Sequence, residues 1–332
     1  MPHPVKETIA ITGATGHVGT NLIRMLVEKG YHVRVLVRKP LNEISGFPVE
    51  AVVGDLSDEL ALLKLCHQAR VVVHAAAMIS IGNHPESDVY ATNVTGTQNV
   101  INSCKKQKVA RLIHFSSVDA FVMHGRSQRV DEQTPLDVDA SIAYKRTKAL
   151  GEQLALDAAA SFELEVIVLS PAAIMGPYDD KPSLIGQMLI QMHTGKLPFI
   201  VPGGYRWVDV RDVCEVAVQA LHGGKSGEKY ILAGEWVDLT EITRMLQPLT
   251  AHRMLRGVIP FWMAYAGVPF IKLWSLLTRK TPLYTFDSLR ILHSGAQSLS
   301  SEKAHLAFGF SPRPFADTLH DTIQWLTKEG ML

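Results

Sequence analysis

Residues 7–19 read Glu7-Thr-Ile-Ala-Ile-Thr-Gly13-Ala-Thr15-Gly16-His17-Val18-Gly19. A short apolar run enters a glycine-rich turn and passes at once into an amphipathic stretch, Asn21–Lys29. A strand, a glycine turn and a helix in that order form a cradle for a dinucleotide pyrophosphate. Gly13 lets the chain turn tightly, Gly16 lets backbone N–H groups approach phosphate oxygens, and Gly19 lets the helix pack close to the strand. The helix N-terminus adds unpaired N–H donors and a partial positive charge. Glycines in such a pattern also occur in ordinary loops. The flanking strand and helix, and the position at the start of the chain, favour the cradle.

The pattern beyond this motif alternates in the same way. Strands are predicted at Thr8–Thr12, His32–Val37, Glu50–Val53, Val71–His74, Arg111–Phe115 and Glu165–Leu169. Most are runs of Val, Ile and Leu without polar alternation, as suits parallel strands covered on both faces. Helical patterns fall between them at His17–Lys29, Asp58–His67, Glu86–Lys106 and Ser141–Ala160. Repeated strand–helix units predict an α/β fold with a doubly wound parallel sheet, its ligand beyond the carboxyl ends of the strands. After Pro171 helices dominate, with isolated strands near Trp207 and at Lys229–Leu232. Residues 1–170 are therefore expected to form a dinucleotide-binding domain. Residues 171–332 are expected to form a smaller, mainly helical substrate lobe, with a segment near 208–225 returning to the first domain.

Composition narrows the function. The 332 residues are 47% hydrophobic and 20% charged, with a formal net charge of +1. That balance describes a packed globular protein and gives no support for a nucleic-acid partner. Cys66, Cys104 and Cys214 are far apart in sequence, so neither a zinc site nor a disulfide framework is implied, and no metal is expected. The first strand starts within a few residues of Met1, leaving no room for a signal peptide, so a cytoplasmic location is expected. A monomer or homodimer acting on a small molecule fits this composition. One apolar stretch, Val258–Leu277, approaches the length of a membrane span, but Pro260, Pro269 and Lys272 interrupt it. Buried helices beside a substrate pocket are the favoured reading, with peripheral contact of a helix with a membrane surface as the other.

The second strand identifies the cofactor type. An NAD-preferring site places Asp or Glu at its end to bond the ribose 2′-OH; here the strand ends in Val37-Arg38-Lys39. A guanidinium at Arg38 suits a 2′-phosphate, so NADP is favoured, with NAD also possible. Asp55, followed by Leu56 after the third strand, is placed to accept a hydrogen bond from the adenine amino group or to act as a turn residue.

Two further elements carry chemistry. Tyr144 and Lys148 lie four residues apart on one helical face. A phenol has a pKa of about 10, too high for acid–base work at neutral pH. A lysine cation about 4 Å away, worth roughly 4 kcal/mol at an effective dielectric of about 20, would lower it by up to about three units. Lys148 is also placed to hold the nicotinamide ribose. Ser116 and Ser117 end the fifth strand, where a hydroxyl can bond a substrate carbonyl. Asn93 interrupts the Glu86–Lys106 helix with a polar amide, placed either for catalysis or for bonding backbone behind the site.

Together these motifs resemble the extended short-chain dehydrogenase/reductase family. The resemblance rests on Gly13–Gly19, Gly54-Asp55-Leu56, His74-Ala75-Ala76-Ala77, Asn93-Val-Thr-Gly96-Thr97, Phe115-Ser116-Ser117, Tyr144-x-x-x-Lys148 and Pro171-x-x-x-x-Gly176-Pro177, in the family's order. It continues more weakly through Val208–Val213 and Phe310–Phe315. It implies a Rossmann-type fold and a Ser117/Tyr144/Lys148 site, with Tyr144 exchanging the substrate proton and hydride passing between nicotinamide and a substrate carbon. It also implies that Ala75–Ala77 flank the cofactor and that Pro171 to Ile174 line the nicotinamide side. One branch resembles dihydroflavonol reductases and 3β-hydroxysteroid dehydrogenases; another resembles nucleotide-sugar epimerases and dehydratases, which retain NAD, and hopanoid-associated epimerase-like proteins are similar along the whole length. The chain departs from the sugar branch at Met175, where an Asn is expected, at Tyr205, which aligns with a pyrophosphate-binding Arg, and at Arg38. The expected activity is therefore an NADP-dependent interconversion of ketone and secondary alcohol on a largely apolar molecule. The rivals are a nucleotide-sugar epimerase/dehydratase and a non-enzymatic NADP-sensing regulator.

Overall fold

The structure is a computed structural model that describes residues 7–41, 43–44, 46–82, 84–125, 127–161, 164–250, 257–278 and 282–332. Its centre is a seven-stranded sheet in the spatial order Glu50–Val53, His32–Val37, Thr8–Thr12, Val71–His74, Arg111–Phe115, Glu165–Pro171, Glu228–Leu232. Every pairing in it is parallel. The order reverses between Thr8–Thr12 and Val71–His74, opening a crevice at their carboxyl ends where Thr12 pairs with His74.

The apolar runs become strands because both faces are covered, and alternate residues serve opposite faces. Ile9 and Ile11 pack with Leu22 and Leu26 of the His17–Glu28 helix and with Val213 and Ala217 of the Val210–Gln219 helix. Ala10 points the other way, into a cluster with Leu62, Leu65, Ile101 and Ala155.

The second half of the chain returns to this sheet. Glu228–Leu232, read from the sequence as an isolated strand of the second lobe, pairs with Glu165–Pro171 as the seventh strand. Tyr230 on that strand meets Phe308 edge-on, with ring centroids 4.8 Å apart. The lobe itself grows from a three-stranded sheet of Ala173–Met175, Gly204–Asp209 and Trp236–Asp238, with its own core around Trp207, Leu189, Leu289 and Phe315.

The predicted Glu86–Lys106 helix contains a wider π turn at Ala91–Thr95, centred on Asn93. The apolar stretch near 258–277 forms one helix, Phe261–Thr278, that continues past Pro269. The expectation of burial fails for its outer face: Ala264 and Val268 are buried, whereas Trp262 is 70% and Phe270 76% exposed. Among the described residues no helix is long and apolar enough to cross a membrane.

Candidate active site

The glycine turn owes its shape to two close approaches. Gly13 has φ +77°, and a Cβ there would stand 2.5 Å from the Ala76 nitrogen and 2.6 Å from the Ala75 carbonyl carbon. A Cβ on Gly19 would overlap the Gly13 carbonyl oxygen. The His17–Glu28 helix therefore starts hard against the end of the first strand, and no side chain caps its N-terminus at Gly16. Its first turn is fastened to the second half of the chain. His17 Nε2 lies 3.0 Å from the Pro177 carbonyl oxygen, Asn21 Nδ2 donates to the same oxygen at 3.1 Å, and Thr20 Oγ1 donates to the Tyr178 carbonyl at 3.0 Å. This turn, which admits no side chain on Gly13 or Gly19 without moving backbone, leaves the helix N-terminus uncapped and fits a dinucleotide pyrophosphate.

Ser117 follows the Arg111–Phe115 strand and caps a short turn, its hydroxyl accepting the Asp119 N–H at 3.1 Å. The same hydroxyl lies near enough to Tyr144 and to the Asp119 carboxyl to influence both. Ser116, also buried, faces Glu152 instead. Tyr144 is buried on the Ala143–Ser161 helix; burial and then the Asp119 carboxylate push its phenol well above the ordinary range, against the Ser117 hydrogen bond. The expected lowering of Tyr144 by Lys148 is thus absent from this geometry. Lys148 Nζ donates instead to the Phe115 carbonyl at 2.6 Å.

Lys148 is itself pushed down to about 8 by burial, and Glu152, one turn further along, works against that shift. Glu152 is fully buried and lies 3.7 Å from Lys229 Nζ. Beneath Lys148 sit two neutral imidazoles, His74 and His114, with ring centroids 5.4 Å apart. His74 bridges Thr12 Oγ1 at 2.7 Å and Thr97 Oγ1 at 2.9 Å. Burial, reinforced by the Lys148 charge, brings His74 down to about 3 and lowers His114 in the same sense.

These elements open into a cavity of about 490 Å³, within the range of small-molecule sites. It brings together Gly13, Gly16, His17, Val18, Gly19, Ala75, Ala77, Ser117, Tyr144, Lys148, Pro171 and Ile174. Thr15, Arg38, Asp55, Leu56, Ala76 and Asn93 lie outside its lining. Ala76 passes behind Gly13, its N–H donating to Thr12 Oγ1 at 3.3 Å. Leu56 packs on Gly96, and its carbonyl accepts from Asn99 at 2.9 Å. Asp55 closes a turn, one carboxylate oxygen accepting from the Ser57 N–H at 2.8 Å and the Ser57 hydroxyl at 2.6 Å. Those bonds, and more weakly the Arg38 charge, hold Asp55 below the ordinary carboxylate value. The catalytic expectation for Asn93 meets a side chain fully engaged elsewhere. Its Oδ1 accepts from Met78 N at 2.7 Å, and its Nδ2 donates to the Met78 carbonyl at 3.1 Å and to Thr147 Oγ1 at 3.0 Å. The amide pins the loop under Ala75–Ala77 to the Tyr144 helix.

The sequence reading missed Asp119 and Tyr284, which line the cavity, as does Tyr205, which the sequence marked only as a departure from the sugar branch. Asp119 was signalled only by being an acid two residues beyond Ser117; burial raises its carboxyl, against Lys145 and Ser117. The far wall is apolar, with Ile79, Met123, Ile185, Met188, Leu197 and Ile291. Arg206, the cation beside Tyr205, is committed to backbone: Nε donates to the Gln297 carbonyl at 2.6 Å and Nη1 to the Gly234 carbonyl at 2.8 Å.

Known proteins share this architecture. A sequence model of the NAD-dependent epimerase/dehydratase family matches residues 9–233. Sterol demethylase protein B of Methylococcus capsulatus is 31% identical over 330 residues, covering 98% of this chain and 100% of that protein. The 4-hydroxy-2-methyl-3-oxo-4-farnesyl-3,4-dihydroquinoline-1-oxide ketoreductase of Stigmatella aurantiaca is 28% identical, covering 91% of each chain. The crystal structure of gox2253 superposes with a TM-score of 0.83 at 31% identity, covering 98% of this chain and 99% of the other. The chain belongs to the NAD-dependent epimerase/dehydratase family, within the extended short-chain dehydrogenases/reductases, and is an NAD(P)-dependent oxidoreductase.

Proposed function

We propose that this protein is an NADP-dependent reductase/dehydrogenase that interconverts a ketone and a secondary alcohol on a largely apolar small molecule. The observation that carries the reading is the cavity, whose lining joins Ser117, Tyr144 and Lys148 to the glycine turn and to apolar side chains such as Ile79, Met188 and Ile291. The names of two relatives, a sterol demethylase protein and a farnesyl-dihydroquinoline ketoreductase, support an apolar ring substrate.

The nicotinamide, when bound, supplies or takes up the hydride at the substrate carbon. The chain's own groups manage the oxygen. Ser117 bonds the carbonyl oxygen, and Tyr144, held protonated by its surroundings, delivers the proton that completes the alcohol O–H. Lys148 holds the cofactor ribose, and the buried Glu152 keeps that lysine charged. The apolar wall excludes water from the reacting carbon. Arg38, exposed at the end of the second strand, is the group for a 2′-phosphate. A nucleotide sugar fits less well, because Arg206, the cation beside Tyr205, is already satisfied by two carbonyls, which leaves Lys181 as the other lysine or arginine near the far lining of the cavity.

The test is NADPH oxidation against ketones of steroid, flavonoid and acyl type, run beside nucleotide sugars. Turnover of a ketone with preference for NADPH is expected, and Arg38→Asp should move the preference toward NADH. Release of tightly bound NAD on denaturation, together with turnover of a nucleotide sugar only, would overturn the reading. An Arg38→Asp enzyme with unchanged preference would overturn the NADP assignment alone.

A further inference from the structure

The Phe261–Thr278 helix is apolar on both its inner and its outer face. Ala264 and Val268, one turn apart, face the lobe core. The opposite stripe carries Trp262, Ala266, Phe270 and Leu273, spaced as one helical face, with Trp262 70%, Phe270 76% and Leu273 61% exposed. Met263 and Val258 extend the patch. A solvated helix puts charges there, and contiguous exposed apolar surface of this kind marks an interaction site.

Charge identifies the partner. From Thr250 to Phe286 the sequence holds Arg253, Arg256, Lys272, Arg279 and Lys280 and no Asp or Glu. The rest of the chain has 28 Lys and Arg against 32 Asp and Glu, so along the sequence the excess positive charge falls in the segment that contains this helix. Large apolar side chains with flanking cations are the composition of helices that lie in the headgroup region of an anionic bilayer. A second copy is disfavoured, because a twofold dimer would set the same cationic segment against itself. The helix packs against an element that lines the cavity. Tyr265 stacks on Phe286 with centroids 6.1 Å apart, and Phe286 opens the Phe286–Ser294 helix, whose Ser288, Ile291 and Leu292 line the cavity.

We infer that the outer face of the Phe261–Thr278 helix docks this protein on an anionic lipid surface. The inference goes beyond the proposed reaction and is tested without substrate. Full-length protein is sedimented with phosphatidylcholine vesicles and with equal-part phosphatidylcholine/phosphatidylglycerol vesicles, at low and high salt. Binding to the anionic vesicles is expected, weakened by salt. A Trp262→Ser/Phe270→Ser variant should bind at least about tenfold more weakly with an unchanged melting temperature. Lys272→Glu, a surface change that leaves the apolar face intact, should also weaken binding to the anionic vesicles. Wild-type protein left in the supernatant with both vesicle types would overturn the inference, as would equal binding by the double variant. A double variant that turns a solution dimer into a monomer, with no vesicle binding by the wild type, would assign the face to a second copy.

Discussion

Gly19 lies so close to Gly13 that no side chain fits between them: a Cβ on Gly19 would overlap the Gly13 carbonyl oxygen and stand 2.7 Å from the Ala14 Cα. Backbone cannot swing aside as a flexible side chain can. Gly19→Ala is therefore expected to cost more than about 3 kcal/mol, read as a lower denaturation midpoint. Gly16→Ala should behave differently. Its Cβ would meet only the Gly13 oxygen, at 3.4 Å, and its backbone is extended, so the fold should lose less than about 1 kcal/mol. The methyl would still crowd the open N–H groups, and nucleotide titration should show at least about tenfold weaker cofactor binding. A Gly19→Ala protein as stable as the parent would refute the packing argument.

Substitutions at Tyr144 and Ser117 separate chemistry from binding. Tyr144→Phe should lower turnover by about 10²–10⁴-fold, because the proposed proton donor is gone, while the cofactor dissociation constant stays within about twofold. Ser117→Ala should lower turnover by about a hundredfold. Parent-like turnover in Tyr144→Phe would remove the phenol from the mechanism.

The Lys148–Glu152 pair makes a prediction about pH. Lys148 carries its charge below about 8 and loses it above, so cofactor KM should rise as pH passes through that value. Glu152 favours the charged lysine, so Glu152→Gln should shift the rise to lower pH. A pH profile unchanged by Glu152→Gln would show that Glu152 acts only structurally.

Acid should loosen the fold through the histidine pair. His74 is held near 3 in the folded chain against about 6.5 when unfolded, so between those values only the unfolded chain takes up the proton. Stability is therefore intact above pH 6.5 and falls as pH drops toward 3, by roughly 3 kcal/mol at pH 4 from His74 alone. Neither ring nitrogen of His114 has a hydrogen-bond partner among the described residues, so His114→Phe should flatten this dependence. Denaturant midpoints at neutral and acid pH check both statements; equal acid losses in parent and variant would refute the role of His114.

The six predicted strands were legible because most are runs rich in Val, Ile and Leu closed by polar residues, a pattern that depends on neighbours along the chain. Glu228–Leu232 carries the same signal, yet its partner, Glu165–Pro171, lies far back in sequence, and nothing local reveals which sheet it joins. Gly13, Gly16, Gly19, Ser117, Tyr144 and Lys148 were legible because their spacing is set by local turns and helical periodicity. Asp119 and Glu152 were not, because their importance comes from burial, which tertiary packing creates. Asn93 was visible as a polar break in a helix, but only the π turn and the Met78 contact show where its amide goes.

The late return of Glu228–Leu232 has a consequence for how this protein can be divided. A fragment ending near the Gly176–Pro177 turn would keep every nucleotide-facing glycine. It would also leave Glu165–Pro171 as a bare sheet edge, with five buried residues in the segment Val166–Ser170 and a row of unpaired N–H and C=O groups. Such an edge recruits other strands, so the fragment should aggregate rather than bind nucleotide. The cofactor half and the substrate half are inseparable in folding, and each molecule must complete its second half before its first is safe in water.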